Sequence, residues 1–213
     1  MNVIDIVLLI GMAACAGWGA KKGFVRMLMI TAGLIAAIIL AVHYNDGFTQ
    51  ELASYFAASP IWTAMFAFLI SSMLLFALFR MAAKLFYRVA NLQELGRRDQ
   101  FGGALMGLVF GWILMGYVVF LGMFLPLPYT LEPKIEQSAL ALPMGSSVPF
   151  VYESSSRLHP SETNFMLKME SSLASAVDLS KNRANGRRKL SNVDRARVAD
   201  FLDRIERYFV SST

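Results

Sequence analysis

The chain has 213 residues, of which 56% are hydrophobic and 16% charged, with a formal net charge of +5. A soluble globular domain carries about 45–50% apolar and about 25% charged residues, so the composition speaks against an ordinary water-soluble body. A lone cysteine, Cys15, leaves no disulfide framework and no cysteine-based zinc site.

The charge is unevenly spread. Residues 1–125 hold eight Lys/Arg and five Asp/Glu, while 126–213 hold twelve and ten. An apolar N-terminal body is therefore followed by a polar C-terminal part. The basic residues of the body fall in short clusters between apolar runs. That is a pattern of membrane topology, and no nucleic-acid partner is expected.

In chain order, the first apolar run covers 3–20. A helix crosses a hydrocarbon core with about 20 residues rising about 1.5 Å each, so this run is long enough to span. It is not a cleaved signal, because Asp5 stands where a basic leader would and its lysines come after the apolar run. "GWGAKKGFVRM" follows at 17–27. A dinucleotide loop would need glycine where Lys22 stands, and the order of a P-loop is absent. The stretch reads as a tight turn carrying Lys21, Lys22 and Arg26 between the first span and a second at 24–42.

The next segment, 43–60, contains no Lys or Arg. A third span is expected at 61–79, with Trp62 at its outer interface. Arg80, Lys84 and Arg88 then line one helical face. The span is read as continuing past the interface, its basic edge against anionic lipid of the cytoplasmic leaflet, each charge contributing about 1 kcal/mol. Arg97 and Arg98 complete a second basic loop before a fourth span at 101–125; the alternative is three spans with the fourth segment buried otherwise. Eight Lys/Arg in these two loops against none at the N-terminus and in 43–60 puts the loops in the cytoplasm. Both termini are then expected outside.

Small residues recur at steps of four: Gly11, Cys15, Gly19 and Gly23, then Gly33, Ala37 and Ala41, then Gly103, Gly107 and Gly111. This spacing places them on one helix face, where they let backbones approach in a solvent that gives no hydrophobic drive between helices. The pattern leaves open whether that packing lies within one chain or between subunits.

Two acids stand near span ends, where charge is costly to bury. Asp5 lies opposite His43 and Asn45 in an antiparallel hairpin, so either it pairs with His43 or it stays wet in the outer headgroup region. Asp99 either forms a salt bridge with Lys22 or Arg26, or caps the fourth span, or does both.

Residues 126–160 contain six of the seven prolines and are expected to be a mainly irregular outer connection, with an amphipathic piece at 135–142. The polar tail, 161–213, holds an apolar stripe at 165, 166, 169, 173, 176 and 177. After the basic loop "KNRANGRRK", Ser191 is placed to cap a second amphipathic helix carrying Val198, Phe201, Leu202, Ile205, Tyr208 and Phe209. Asp200–Arg204 and Asp203–Arg207 are spaced to pair along it. The fold class is all-α: four transmembrane helices, then a short extracytoplasmic segment with about two amphipathic helices.

Asp5, the "GAKKGFVR" turn, "HYN" at the end of the second span and "DQFGGALMGLVFG" at the start of the fourth resemble the colicin V production protein (CvpA-type) family. The resemblance covers about 3–125, with a weaker echo in "IEQSALAL" and "SVPF" to about 150. It implies a small four-span protein of the bacterial inner (cytoplasmic) membrane, required in peptide-toxin export or production and linked to envelope homeostasis. Similar membrane bodies are fused to periplasmic serine proteases, in keeping with a C-terminus outside. Lys22, Gln100 and Phe110 stand where the family usually has arginine.

Catalysis is not expected. Neither His43 nor His159 has metal-ligand spacing around it, and no G-x-S-x-G occurs. No cofactor and no metal are expected. Two roles remain open: an accessory or scaffold subunit that binds an envelope or export protein, or an oligomeric channel or small transporter lined by Asp5, Asp99 and the glycine faces. A homo-oligomer is compatible with both.

Overall fold

The computed structural model describes residues 2–55, 60–90, 96–124, 132–155, 164–173 and 192–207, and among these there is no strand. Helices α1 (Val3–Lys22), α2 (Phe24–His43), α3 (Asn45–Tyr55), α4 (Pro60–Ala90) and α5 (Gly96–Phe124) come first. Short helices α6 (Glu132–Glu136), α7 (Ala141–Gly145) and α8 (Ser147–Ser154) follow. Helix α9 covers 165–173, and α10 is Asn192–Ile205.

Four stretches are long and apolar enough to cross a membrane: Val3–Lys22, Phe24–His43, Ile61–Tyr87 and Gly96–Met123. Large apolar side chains lie exposed on these helices, among them Ile10, Met73, Leu85 and Phe101. Such surfaces suit a helix whose solvent is lipid, where its backbone groups are already paired internally. The chain is an all-α, multi-pass membrane protein.

The third long helix continues past its apolar run, as expected from its basic face, and the last one starts before its expected first residue. Helix α4 continues from the apolar run to Ala90, carrying Arg80 and Lys84 with it, and α5 begins at Gly96, ahead of Asp99. The segment 43–60 contains a helix of its own, α3, with Asn45 and Thr49 one turn apart and buried.

The described chain divides into two compact units, the first being Met1–Ala37, Leu74–Phe120 and Leu127–Val148. Its centre is the antiparallel packing of α1 on α5. Gly19 meets Gly103, Cys15 meets Gly107, Met12 meets Gly111 and Gly11 meets Met115, so numbers fall along one helix as they rise along the other. Helices α6 and α7 close one end of this pair. Leu8, Ala141 and Met144 form a buried cluster there, with Met12, Trp112, Met115 and Val119 packed against it. The connection expected to be mainly irregular is thus helical over 132–136, 141–145 and 147–154. Its prolines misled because Pro133, Pro143 and Pro149 all fall in first turns, where no intrahelical donor is lost.

The second unit is Ile38–Met73, Leu121–Pro126 and Pro149–Thr213. Here Asp46 of α3 holds α9: it pairs with Lys168 at 2.7 Å, and accepts from Ser171 at 3.2 Å and from Ser172. Asn164 caps α9, accepting from the Met166 N–H at 2.9 Å. The stripe expected in the tail faces inward at Phe165, Met169 and Leu173, and Phe165 stands edge-on to Tyr152 of α8 at 6.1 Å. In α10, Phe201 and Ile205 are buried, and both expected Asp–Arg pairs form at 2.5 Å. Positions 176 and 177, the basic loop, the Ser191 cap, Tyr208 and Phe209 lie outside the described residues.

Candidate functional site

The turn after α1 is built on Gly23. Its N–H reaches the Gly19 carbonyl at 3.0 Å, and its φ of 81° lies where a side chain is strained. The chain then enters α2 with Phe24, whose N–H is free of an intrahelical partner. Asp99 Oδ1 accepts that N–H at 2.8 Å. A methyl group on Gly23 would overlap Asp99 Oδ2. Glycine is therefore required twice, for its φ and for the room it leaves the carboxylate.

This corrects both expectations for Asp99. It lies inside the first turn of α5 and so does not cap its own span; it caps α2 instead. Nor is it ion-paired with Lys22 or Arg26. The Arg26 guanidinium lies over the Tyr87 ring at 5.1 Å, and the Lys22 ammonium 6.0 Å from the centre of Trp18. The physical reason is geometric. One carboxylate at the start of α5 sits where two helix N-termini meet, and the Phe24 N–H with the positive ends of both helix dipoles satisfies it without ordering a long cationic side chain.

Above this clasp, α1 and α5 touch through backbone. A methyl on Gly19 would overlap the Gly103 carbonyl and lie 2.8 Å from the Gly107 Cα. One on Gly107 would stand 2.5 Å from the Cys15 carbonyl oxygen and 2.9 Å from the Ala16 Cα. One on Gly111 would come to 2.9 Å from the Cys15 Cβ. The small-residue faces of the first and fourth spans thus meet each other within one chain. Gly33 serves a different contact, against Phe79 of α4 at 3.1 Å.

Asp5, at the opposite end of α1, is 4% exposed. Its carboxylate accepts from Ser138 Oγ at 2.6 Å, from the Leu140 N–H at 3.2 Å and from the Asn2 N–H at 2.9 Å. The carboxylate is thus not wet and unpaired. The segment before α7 reaches Asp5 with two donors, one a backbone N–H at the start of a helix, and these replace water. His43 belongs to the second unit, edge-on to Tyr44 at 4.9 Å.

At the basic end of the first unit, α1, α2 and α4 border an open-sided cavity of about 450 Å³. Lys22, Arg26, Arg80 and Lys84 line it, with the rings of Trp18 and Tyr87 and the buried side chains of Ile30 and Ala83. Arg80 also stands over Trp18, at 6.0 Å. Aromatic faces hold Lys22, Arg26 and Arg80 in place by cation–π attraction, and none of the four cations is ion-paired among the described residues. No group of three His, Cys, Asp or Glu able to hold a metal ion occurs among the described residues.

The family model of the colicin V production protein matches residues 4–149. The chain belongs to the colicin V production protein family. The match takes in α1 to α7 and the start of α8, so it contains the Gly23–Asp99 clasp, the glycine contact and the Asp5 contact to Ser138. No curated protein and no solved structure matches the chain. Phe110, within the matched stretch, is buried beside Trp18 and Phe76, with ring centres 5.7 and 6.4 Å away.

The residues that sequence reasoning missed are Gly116 and Ser138. A methyl on Gly116 would overlap the Met144 carbonyl and the Ser147 hydroxyl, so this glycine admits the end of α7 against α5. It stands five residues after Gly111 and breaks the step of four, which hid it. Ser138 is separated from Asp5 by 133 positions, and nothing local marks it.

Proposed function

We propose that this member of the colicin V production family is a non-enzymatic accessory or scaffold protein of the bacterial inner membrane. It acts in peptide-toxin export or production and in envelope homeostasis, with both termini outside and the two basic turns in the cytoplasm. The observation that supports a scaffold over a conduit is the filled glycine face. A path along α1 and α5 would need Gly103, Gly107 and Gly111 to border water, yet backbone of α1 occupies that face. Asp5 and Asp99, the acids such a path would use, are both engaged by donors of the first unit. Its helices instead offer exposed apolar faces to lipid, to an envelope or export protein, or to another copy.

The native Cys15 tests this without any substitution, because it lies on the packed face between Gly107 and Gly111. A water-soluble maleimide applied to the protein in vesicles should leave Cys15 unmodified, and modify it fully after unfolding in detergent. Rapid modification in vesicles would overturn the scaffold reading and favour the conduit. Orientation has its own test: a reporter active only outside the cytoplasm should work when fused after Thr213 and stay silent when fused after Gly96. The opposite pattern would overturn the orientation.

A further inference from the structure

We propose that the cavity lined by Lys22, Arg26, Arg80 and Lys84 binds the phosphodiester headgroup of an anionic membrane lipid, with the lipid's acyl chains lying along the exposed apolar ridge of α4. The inference is independent of the scaffold reading.

Four cations converge on one cavity of about 450 Å³, and none of them has a carboxylate partner among the described residues. Asp99, an acid at the same end of α5, already accepts the Phe24 N–H. Cations gathered in this way repel one another, and a bound anion relieves that repulsion while accepting charge-assisted hydrogen bonds. Arg26 and Arg80 bring planar forks suited to phosphate oxygens, pre-oriented over Tyr87 and Trp18. Lys22 and Lys84 add point charges at the rim.

The surroundings select a lipid over a soluble anion. Ile30 and Ala83 give the cavity an apolar floor. Beside Arg80 and Lys84, the side chains of Leu78, Met81 and Leu85 are 55, 66 and 64% exposed. In a membrane-spanning helix such a ridge meets acyl chains, so charge and apolar surface stand in the order in which a phospholipid presents its head and tails. Basic pockets between membrane helices recognise anionic headgroups by this arrangement.

The test uses the full chain in mild detergent, equilibrated with an equimolar mixture of phosphatidylglycerol and phosphatidylcholine of matched acyl chains, with bound lipid read by native mass spectrometry. The wild-type protein should retain phosphatidylglycerol in preference to phosphatidylcholine. The Arg26→Gln/Arg80→Gln variant should lose about thirtyfold of that preference, as expected for two phosphate-facing charges. The Arg97→Gln/Arg98→Gln variant removes the same charge outside the cavity and should keep the preference. Equal retention of both lipids by the wild type would overturn the proposal whatever the variants do. Equal loss in the two double variants would assign the effect to diffuse surface charge and overturn the discrete site. Displacement of the lipid by low millimolar inorganic phosphate would identify a free-phosphate site and overturn the lipid assignment.

Discussion

Asp99 and Gly23 work as a pair, because each restricts what the other position can hold. The carboxylate supplies an acceptor to the first N–H of α2, and the missing side chain at Gly23 supplies the room. Asp99→Ala removes a helix cap and should cost about 1–2 kcal/mol in thermal unfolding, whereas Asp99→Asn keeps an acceptor oxygen and should cost less. Gly23→Ala should cost about 1–3 kcal/mol for its backbone conformation alone, and more because of the overlap. The double variant Gly23→Ala/Asp99→Ala should then cost less than the two singles added, since removing the carboxylate clears the space. Strict additivity would show that the two residues do not share this contact. At the other end of α1, Asp5 gathers three donors, and Asp5→Ala would leave the buried Ser138 hydroxyl and the Leu140 N–H without their acceptor. A loss of about 1–3 kcal/mol is expected, seen as earlier amide exchange across α7.

Between elements, the α1–α5 contact depends on volume more than on chemistry. Gly107→Leu drives a side chain into the backbone of Cys15 and Ala16, and should destabilise the protein by about 1–3 kcal/mol or more. Gly17, on α1, has nothing within 4 Å of where its Cβ would stand. Gly17→Ala should therefore be neutral, or stabilising by up to about 1 kcal/mol through helix propensity. Comparing the two in one thermal series separates packing from propensity, and equal losses would exclude a specific seam. In the second unit, α9 is tied to α3 through one carboxylate that serves Lys168, Ser171 and Ser172. Asp46→Ala removes all three contacts together, so limited proteolysis should cut near α9 in the variant well before it cuts the wild type.

For the whole molecule, the first span packs on the last, so its small-residue face is not filled until α5 is in place. Co-expressed fragments 1–90 and 91–213 should therefore associate and co-purify, and Gly107→Leu in the second fragment should abolish this. Co-purification that persists would place the holding contacts elsewhere. Much of this architecture is written locally. Runs of about twenty apolar residues fix how many helices cross the bilayer, because each must satisfy its own backbone there, and the loop charges give an expected orientation. Steps of four announce that α1 and α5 have close-packing faces, since that spacing is a property of one helix. The partner of each face is another matter. Asp99 was legible as a charge at a span end, but its acceptor role toward Phe24 depends on two helix starts meeting across 75 positions. Asp5 was legible in the same way, while Ser138 as its donor and the helical form of 132–154 were not. Periodicity and composition act over one element at a time. A buried carboxylate is satisfied by whichever donors the packed chain brings within about 3 Å, and only the tertiary structure decides which those are.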